Sequence, residues 1–114
     1  MDEELIGMQP PQSVEAEQSV LGAILIDSTC LPDIVGVLQP QDFFLRQNRE
    51  IYEAIYTMFN FSQTIDPVTV LDKMREMGVY RDNSRDYILQ LMQITPTAAN
   101  VSRYANIVRD KAML

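Results

Sequence analysis

Three pairs of carboxylates are the residues in this chain whose type and spacing could support chemistry. The pairs are Glu15 with Glu17, Asp66 with Asp72, and Asp82 with Asp86. Paired carboxylates can transfer protons or hold Mg²⁺. The chain has no histidine, so no side chain that ordinarily titrates near neutral pH accompanies them. We favour a structural explanation for each pair: charges in the first turn of a helix, a helix cap with an exposed helix face, and a polar loop.

Nucleotide and metal chemistry are also not expected in this chain. The sequence contains no G-x-x-x-x-G-K-[ST] loop, and its four glycines are scattered. Its single cysteine excludes an internal disulfide and provides no zinc-ligand spacing. We therefore expect no cofactor and no enzymatic activity here. The alternative, a small acid-dependent enzyme, would show Mg²⁺-dependent turnover that requires Asp66 or Asp82.

The charge distribution favours a protein partner over nucleic acid. The chain has 114 residues, is 46% hydrophobic and carries a net charge of −7, which suits one acidic globular domain. Residues 1–45 hold eight acidic and no basic residues, whereas residues 46–114 hold eight acidic and nine basic residues. An acidic domain is repelled by phosphate backbones. DNA binding through the basic residues of the last helix remains an alternative.

No membrane contact is expected from the sequence. The longest apolar run, "VLGAILI" at residues 20–26, is far shorter than the ~20 residues that cross a bilayer. The N-terminus reads "MDEELIG", which is acidic where a secretory signal is basic. We predict a cytoplasmic protein.

Helical periodicity and end signals predict an all-α fold, a compact bundle of about six helices. Residues 1–12 end in "QPPQ" and are predicted to be a flexible tail, so that the domain covers residues 13–114. Ser13 caps the first predicted helix, in which Gly22 and Ala23 would let a second helix approach closely. Its apolar stripe consists of Val14, Leu21, Ile24 and Leu25, with Val20 on the flank. A short second helix is predicted over residues 32–38.

The remaining four helices follow from similar signals. The third shows the clearest period, with Ile51, Ala54, Ile55 and Met58 on one face. The fourth has Asp66 as its cap, Pro67 at its first position and Gly78 just past its end. Its inner face is Val70, Leu71, Met74 and Met77. The fifth covers residues 85–93, and the sixth starts near residue 98. The stripe of the sixth is Val101, Tyr104, Ala105, Val108 and Ala112.

Three segments, taken together and in order, resemble one protein family. They are "PPQSVEAEQSVLGAILID" at 10–27, "IDPVTV" at 65–70 and "PTAANVSRYANIVRDKAML" at 96–114, with "DFF" and "NREIYEAI" between them. They are similar to the N-terminal domain of the bacterial replicative DNA helicase of the DnaB type. Where that family often has a Gly-Gly pair before Tyr-Leu, this chain reads "NSRDYI".

The resemblance implies a non-catalytic interaction domain. In this family such domains dimerise, form a collar on a hexameric ring, and bind the C-terminal domain of primase and, in some lineages, a helicase loader. ATP and Mg²⁺ belong to a C-terminal ATPase domain of the parent protein, and DNA is contacted through the parent ring. The last helix is expected to continue past Leu114 into a helical hairpin.

The resemblance also suggests partner-contact residues. Arg85, Asp86 and Tyr87 match a region that resembles a contact surface, although the helical register of Tyr87 suits the core equally. Arg103, Arg109 and Lys111 are candidates for contacts with a partner or an adjacent subunit, with a solvated helix face as the alternative. Two further alternatives are the helicase-binding domain of a primase and a small helical adaptor module.

Overall fold

The computed structural model describes residues 13–95 and 97–113, and these residues form six α-helices and no strand. The helices are α1 (Val14–Ile26), α2 (Leu31–Val35), α3 (Arg46–Asn60), α4 (Pro67–Glu76), α5 (Ser84–Ile94) and α6 (Val101–Ala112). Short 3₁₀ turns at Ser28–Cys30 and Pro40–Asp42 lie between the first three helices. The predicted all-α bundle of six helices is confirmed. The predicted tail, residues 1–12, lies outside the described residues.

Helix ends follow the local sequence where the chain supplies a capping residue. The Ser13 hydroxyl accepts a hydrogen bond from the Ala16 N–H at 3.2 Å at the start of α1. Asp66 accepts from the Thr69 N–H at 2.9 Å, and the Thr69 hydroxyl accepts from the Asp66 N–H at 2.9 Å. After α4 the chain turns at Gly78, whose φ of 76° is in the left-handed region that glycine tolerates best. These cap predictions are confirmed.

Other predicted boundaries differ from the structure. The short helix ends at Val35 instead of residue 38, because the Val37 and Leu38 N–H groups both donate to the Ile34 carbonyl in a tight turn. The last helix begins at Val101, after a turn over residues 98–100. Ala112 is exposed, contrary to the predicted stripe, because it is the final residue of α6 and lies beyond the core contact of Val108.

Helix α1 is the centre of the bundle. It packs most extensively against α6 and α5 and also contacts α3, while α4 packs on α3. The predicted core residues of α3 are all buried, and Tyr104, predicted to be core, is half-buried. Among the described residues no single helix is both long and apolar enough to cross a membrane. The segments Val14–Ile26 and Ser28–Val35 reach that length and composition only together, and they are bent by 114°.

Gly22 brings α1 and α5 into close contact, as the sequence predicts. A Cβ atom at this position would lie 2.1 Å from the Thr95 Oγ1 and 2.5 Å from the Leu91 carbonyl oxygen. Thr95 is buried, and its hydroxyl donates to that carbonyl at 2.9 Å. Neither the hydroxyl nor the carbonyl can therefore move aside easily. The α5 backbone therefore lies so close to Gly22 that a larger residue at this position would displace it.

We predict that Gly22→Ala lowers the free energy of unfolding by about 1–3 kcal/mol, because the added methyl group overpacks the contact with α5. Gly36→Ala is the matched control, since a Cβ atom at Gly36 would meet nothing within 4 Å. Urea denaturation of both variants and the wild type measures the difference. Equal midpoints for the two variants would contradict the close contact.

Candidate partner-contact site

A buried carboxylate holds the start of α3. Glu17, in the first turn of α1, is only 1% exposed. It accepts hydrogen bonds from the Phe44 N–H at 2.6 Å, the Leu45 N–H at 3.4 Å and the Asn48 side-chain amide at 2.9 Å. The N-cap residue of α3, Leu45, has no side chain that can accept such bonds. Glu17 therefore caps α3 from another helix, at the positive end of the α3 dipole.

The same network continues from α3 to α5. The Tyr87 hydroxyl donates to the Asn48 side-chain oxygen at 2.5 Å and accepts from the Gln18 amide at 3.3 Å. Burial of the ring raises the pKa of Tyr87, so the hydroxyl keeps its proton and remains a donor at neutral pH. Residues from α1, α3 and α5 thus share one chain of hydrogen bonds.

This network determines where the first group of predicted contact residues lies. Arg85 and Asp86 are exposed in the first turn of α5, next to the half-buried Tyr87. The Tyr87 ring packs against the hydrophobic core, and its hydroxyl belongs to the network. Tyr87 is therefore a half-buried residue at the edge of the core, and the two residues that precede it are exposed to solvent.

The second group of predicted contact residues lies along α6, and its three members have different surroundings. Arg103 is exposed near the start of the helix. Arg109 lies 3.5 Å from the carboxylate of its neighbour, Asp110. Lys111 is half-buried and lines a cavity of about 350 Å³ with Phe44 and Arg49. The structure therefore brings Lys111 to the segment that precedes α3, whereas Arg103 and Arg109 do not line this cavity.

A second polar link joins α3 to the segment before α5. The Arg81 guanidinium makes two hydrogen bonds to the Glu50 carboxylate, at 2.5 and 3.1 Å, and Arg46 lies 3.5 Å from the same carboxylate. The bond from Arg81 holds the pKa of Glu50 below its ordinary value. Arg81 also donates to the Val79 carbonyl, so this pair positions the chain just ahead of Arg85 and Asp86.

The residues of the three carboxylate pairs have different surroundings in the structure. Glu15 is exposed, whereas Glu17 is buried. Glu17 stabilises α3 in addition to its own helix. Asp66 is a helix cap, and the remaining three, Asp72, Asp82 and Asp86, are exposed. Among residues 13–95 and 97–113, no group of three or more His, Cys, Asp or Glu side chains is arranged to hold a metal ion.

We predict that Glu17→Gln lowers the free energy of unfolding by about 1–3 kcal/mol, because the amide cannot accept from all three donors and leaves a buried N–H without a partner. The matched control is Glu15→Gln, an exposed carboxylate in the same helical turn. It should cost less than about 1 kcal/mol, the usual effect of a charge near a helix N-terminus. Urea denaturation measures both. Equal losses for the two variants would show that Glu17 acts only through its charge.

Comparison with known proteins places this architecture in one family. The family model described as "DnaB-like helicase N terminal domain" matches residues 9–110. The chain is 36% identical over 106 residues to "Replicative DNA helicase DnaB" of Leifsonia xyli, covering 92% of this chain and 23% of that protein. It is 37% identical over 109 residues to the protein of the same name from Mycobacterium leprae, covering 95% of this chain and 18% of that protein.

A solved structure shows the same fold. The crystal structure of the N-terminal domain of DnaB helicase from Mycobacterium tuberculosis superposes with a TM-score of 0.86 at 37% identity, covering 92% of this chain and 77% of that one. The chain thus spans about a quarter or less of the curated relatives it matches. The alternative of a primase domain is not supported, because the matched proteins are helicases. The chain belongs to the DnaB-like helicase N-terminal domain family.

Proposed function

We propose that this chain is a non-catalytic interaction domain of a replicative DNA helicase and that it binds the C-terminal domain of primase. The observation that carries the proposal is the first turn of α5. Arg85 and Asp86 are exposed there, directly beside Tyr87, whose hydroxyl is held by Asn48 and Gln18. A surface whose backbone is already ordered loses little conformational entropy on binding. Adjacent charges of opposite sign favour a partner with the reverse pattern.

The same family membership supports self-association as part of this proposal. In this proposal the domain dimerises, contributes to the collar of a hexameric ring, and uses Arg103, Arg109 and Lys111 toward an adjacent subunit or partner. Arg103 is exposed on α6, and Lys111 stands beside the segment preceding α3, so both are accessible to a second protein. In this proposal a helicase loader is a second partner of the domain.

Catalysis and DNA contact belong, in this proposal, to the rest of the parent helicase. The parent would bind ATP and Mg²⁺ in its C-terminal ATPase domain and act in the cytoplasm. The described residues hold no arrangement for metal binding, and the only cysteine, Cys30, is half-buried with a pKa raised by burial and by Asp27. The net charge of −7 disfavours tight binding to a phosphate backbone, so DNA would pass through the ring without strong contact to this domain.

Titration calorimetry of this chain with the primase C-terminal domain of the same organism tests the proposal. We expect binding, and we expect Asp86→Arg to weaken it about tenfold or more, the effect of losing one well-placed contact. Asp72→Arg is the matched control, since Asp72 is also an exposed aspartate on a helix and lies on α4.

Two results would contradict the proposal in different ways. Unchanged affinity for Asp86→Arg would place the contact away from the start of α5. Absence of binding, both for this chain and for a version extended past Leu114 into the parent sequence, would mean that the domain serves ring assembly or a loader instead of primase.

A further inference from the structure

Phe44 is an aromatic residue that the fold leaves exposed at a well-ordered position. Its side chain is 54% exposed, whereas the adjacent Phe43 is 1% exposed and packs on Tyr52 with ring centroids 4.7 Å apart. The chain thus uses one of two consecutive phenylalanines for its core and presents the other to solvent. Exposed aromatic rings are frequent anchors of protein interfaces.

The backbone of Phe44 is held on both sides. The Glu17 carboxylate accepts from the Phe44 N–H at 2.6 Å. The Arg49 guanidinium donates to the carbonyls of Phe43 and Phe44, at 3.0 and 3.4 Å. Because buried and charged groups determine this conformation, the Cα position of Phe44 is ordered before any partner arrives, which reduces the entropic cost of binding through the ring.

The cavity beside Phe44 has an excess of positive charge. It is lined by Gln41, Asp42, Phe43, Phe44, Arg49, Lys111 and Ala112. Its one carboxylate, that of Asp42, accepts from the Gln39 N–H at 2.8 Å. Within the part of the chain that the structure describes, no carboxylate lies within 4 Å of Arg49 or Lys111. The cavity therefore complements an apolar group that is accompanied by a negative charge.

The cavity is also connected to the start of α5. Phe44 is linked to Glu17, Glu17 to Asn48 and Asn48 to Tyr87 by three consecutive hydrogen bonds, of 2.6, 2.9 and 2.5 Å. Lys111 lines the cavity with Phe44, and Arg85 and Asp86 directly precede Tyr87 at the other end of this chain of hydrogen bonds. Of the predicted contact residues, Lys111 is thus at the cavity, and Arg85 and Asp86 are next to the residue that ends this chain of bonds.

We infer that one contact surface extends from Lys111 to Arg85 and Asp86 and that Phe44 is its anchor: the partner places an apolar side chain against the Phe44 ring and a carboxylate beside Arg49 and Lys111. The inference rests on the proposed function, because the partner is the protein that binds at Arg85 and Asp86. It adds an aromatic contact and the chemistry of the partner segment, apolar with an adjacent acidic residue.

Calorimetric titration of Phe44→Ala against the primase C-terminal domain used for Asp86→Arg tests the inference. We expect the Kd to rise about tenfold or more, as for a central aromatic contact, and Phe44→Leu to fall between the wild type and Phe44→Ala. Phe61→Ala is the matched control, because Phe61 is 71% exposed and caps the other end of α3, roughly 22 Å away at 1.5 Å per residue. Circular dichroism and a urea melt of each variant establish that it is folded.

Each outcome decides the inference. A loss of affinity for Phe44→Ala with no change for Phe61→Ala supports an anchor at Phe44. Wild-type binding with equal Kd values for Phe44→Ala and Phe61→Ala, whether both unchanged or both weakened, overturns the inference and leaves the proposed function standing. Failure of the wild type to bind, both as this chain and as the version extended past Leu114, overturns both together.

Discussion

The hydrogen bonds from the start of α3 to the Glu17 carboxylate are the interaction on which the rest of the structure depends. Helix α3 begins at Arg46 without a capping side chain of its own, and the N–H groups of Phe44 and Leu45, just before it, need an acceptor from elsewhere. Glu17 provides that acceptor from α1 and is almost completely buried as a result. A buried carboxylate is tolerated only when its oxygens are satisfied, so α1 and α3 can pack only in the register that brings these groups together.

Two contacts on α1 then determine the position of α5. Gly22 allows the α5 backbone at Leu91 to approach closely, and the hydroxyl of Tyr87 reaches Asn48 and Gln18. One contact is set by the absence of a side chain and the other by hydrogen bonding, and they act at opposite ends of α5. These buried contacts therefore also determine the positions of the exposed residues Arg85 and Asp86. A change in the core of this domain is therefore expected to affect its surface.

The sequence predicted the helices well because their signals are local. The caps at Ser13 and Asp66 and the apolar face of α3 need only a few neighbouring residues to be recognised. The errors lie at helix ends: the second helix is shorter than predicted, and Ala112 lies outside the core. At these ends the apolar pattern of the sequence continues, but the neighbouring part of the core does not extend as far.

The site was less predictable because its interactions connect distant residues. Glu17 shares an apolar stripe with Val20, Leu21 and Ile24, and that placement was a signal that its carboxylate is buried. Its acceptor role could not be read from the sequence, since the donors are 27 to 31 residues away. The exposure of Phe44 could not be predicted either, because the sequence does not show which of two consecutive phenylalanines the fold buries.

Amide hydrogen exchange at Phe44 tests the central claim most directly. Phe44 precedes α3, and the partner of its N–H is the Glu17 carboxylate 27 residues earlier in the chain. The account predicts that this amide exchanges slowly in the wild type, like the amides inside α3, even though the side chain is in solvent. Exchange of the Phe44 amide at the rate of an unprotected peptide would contradict the account, because Glu17 would then not hold the start of α3.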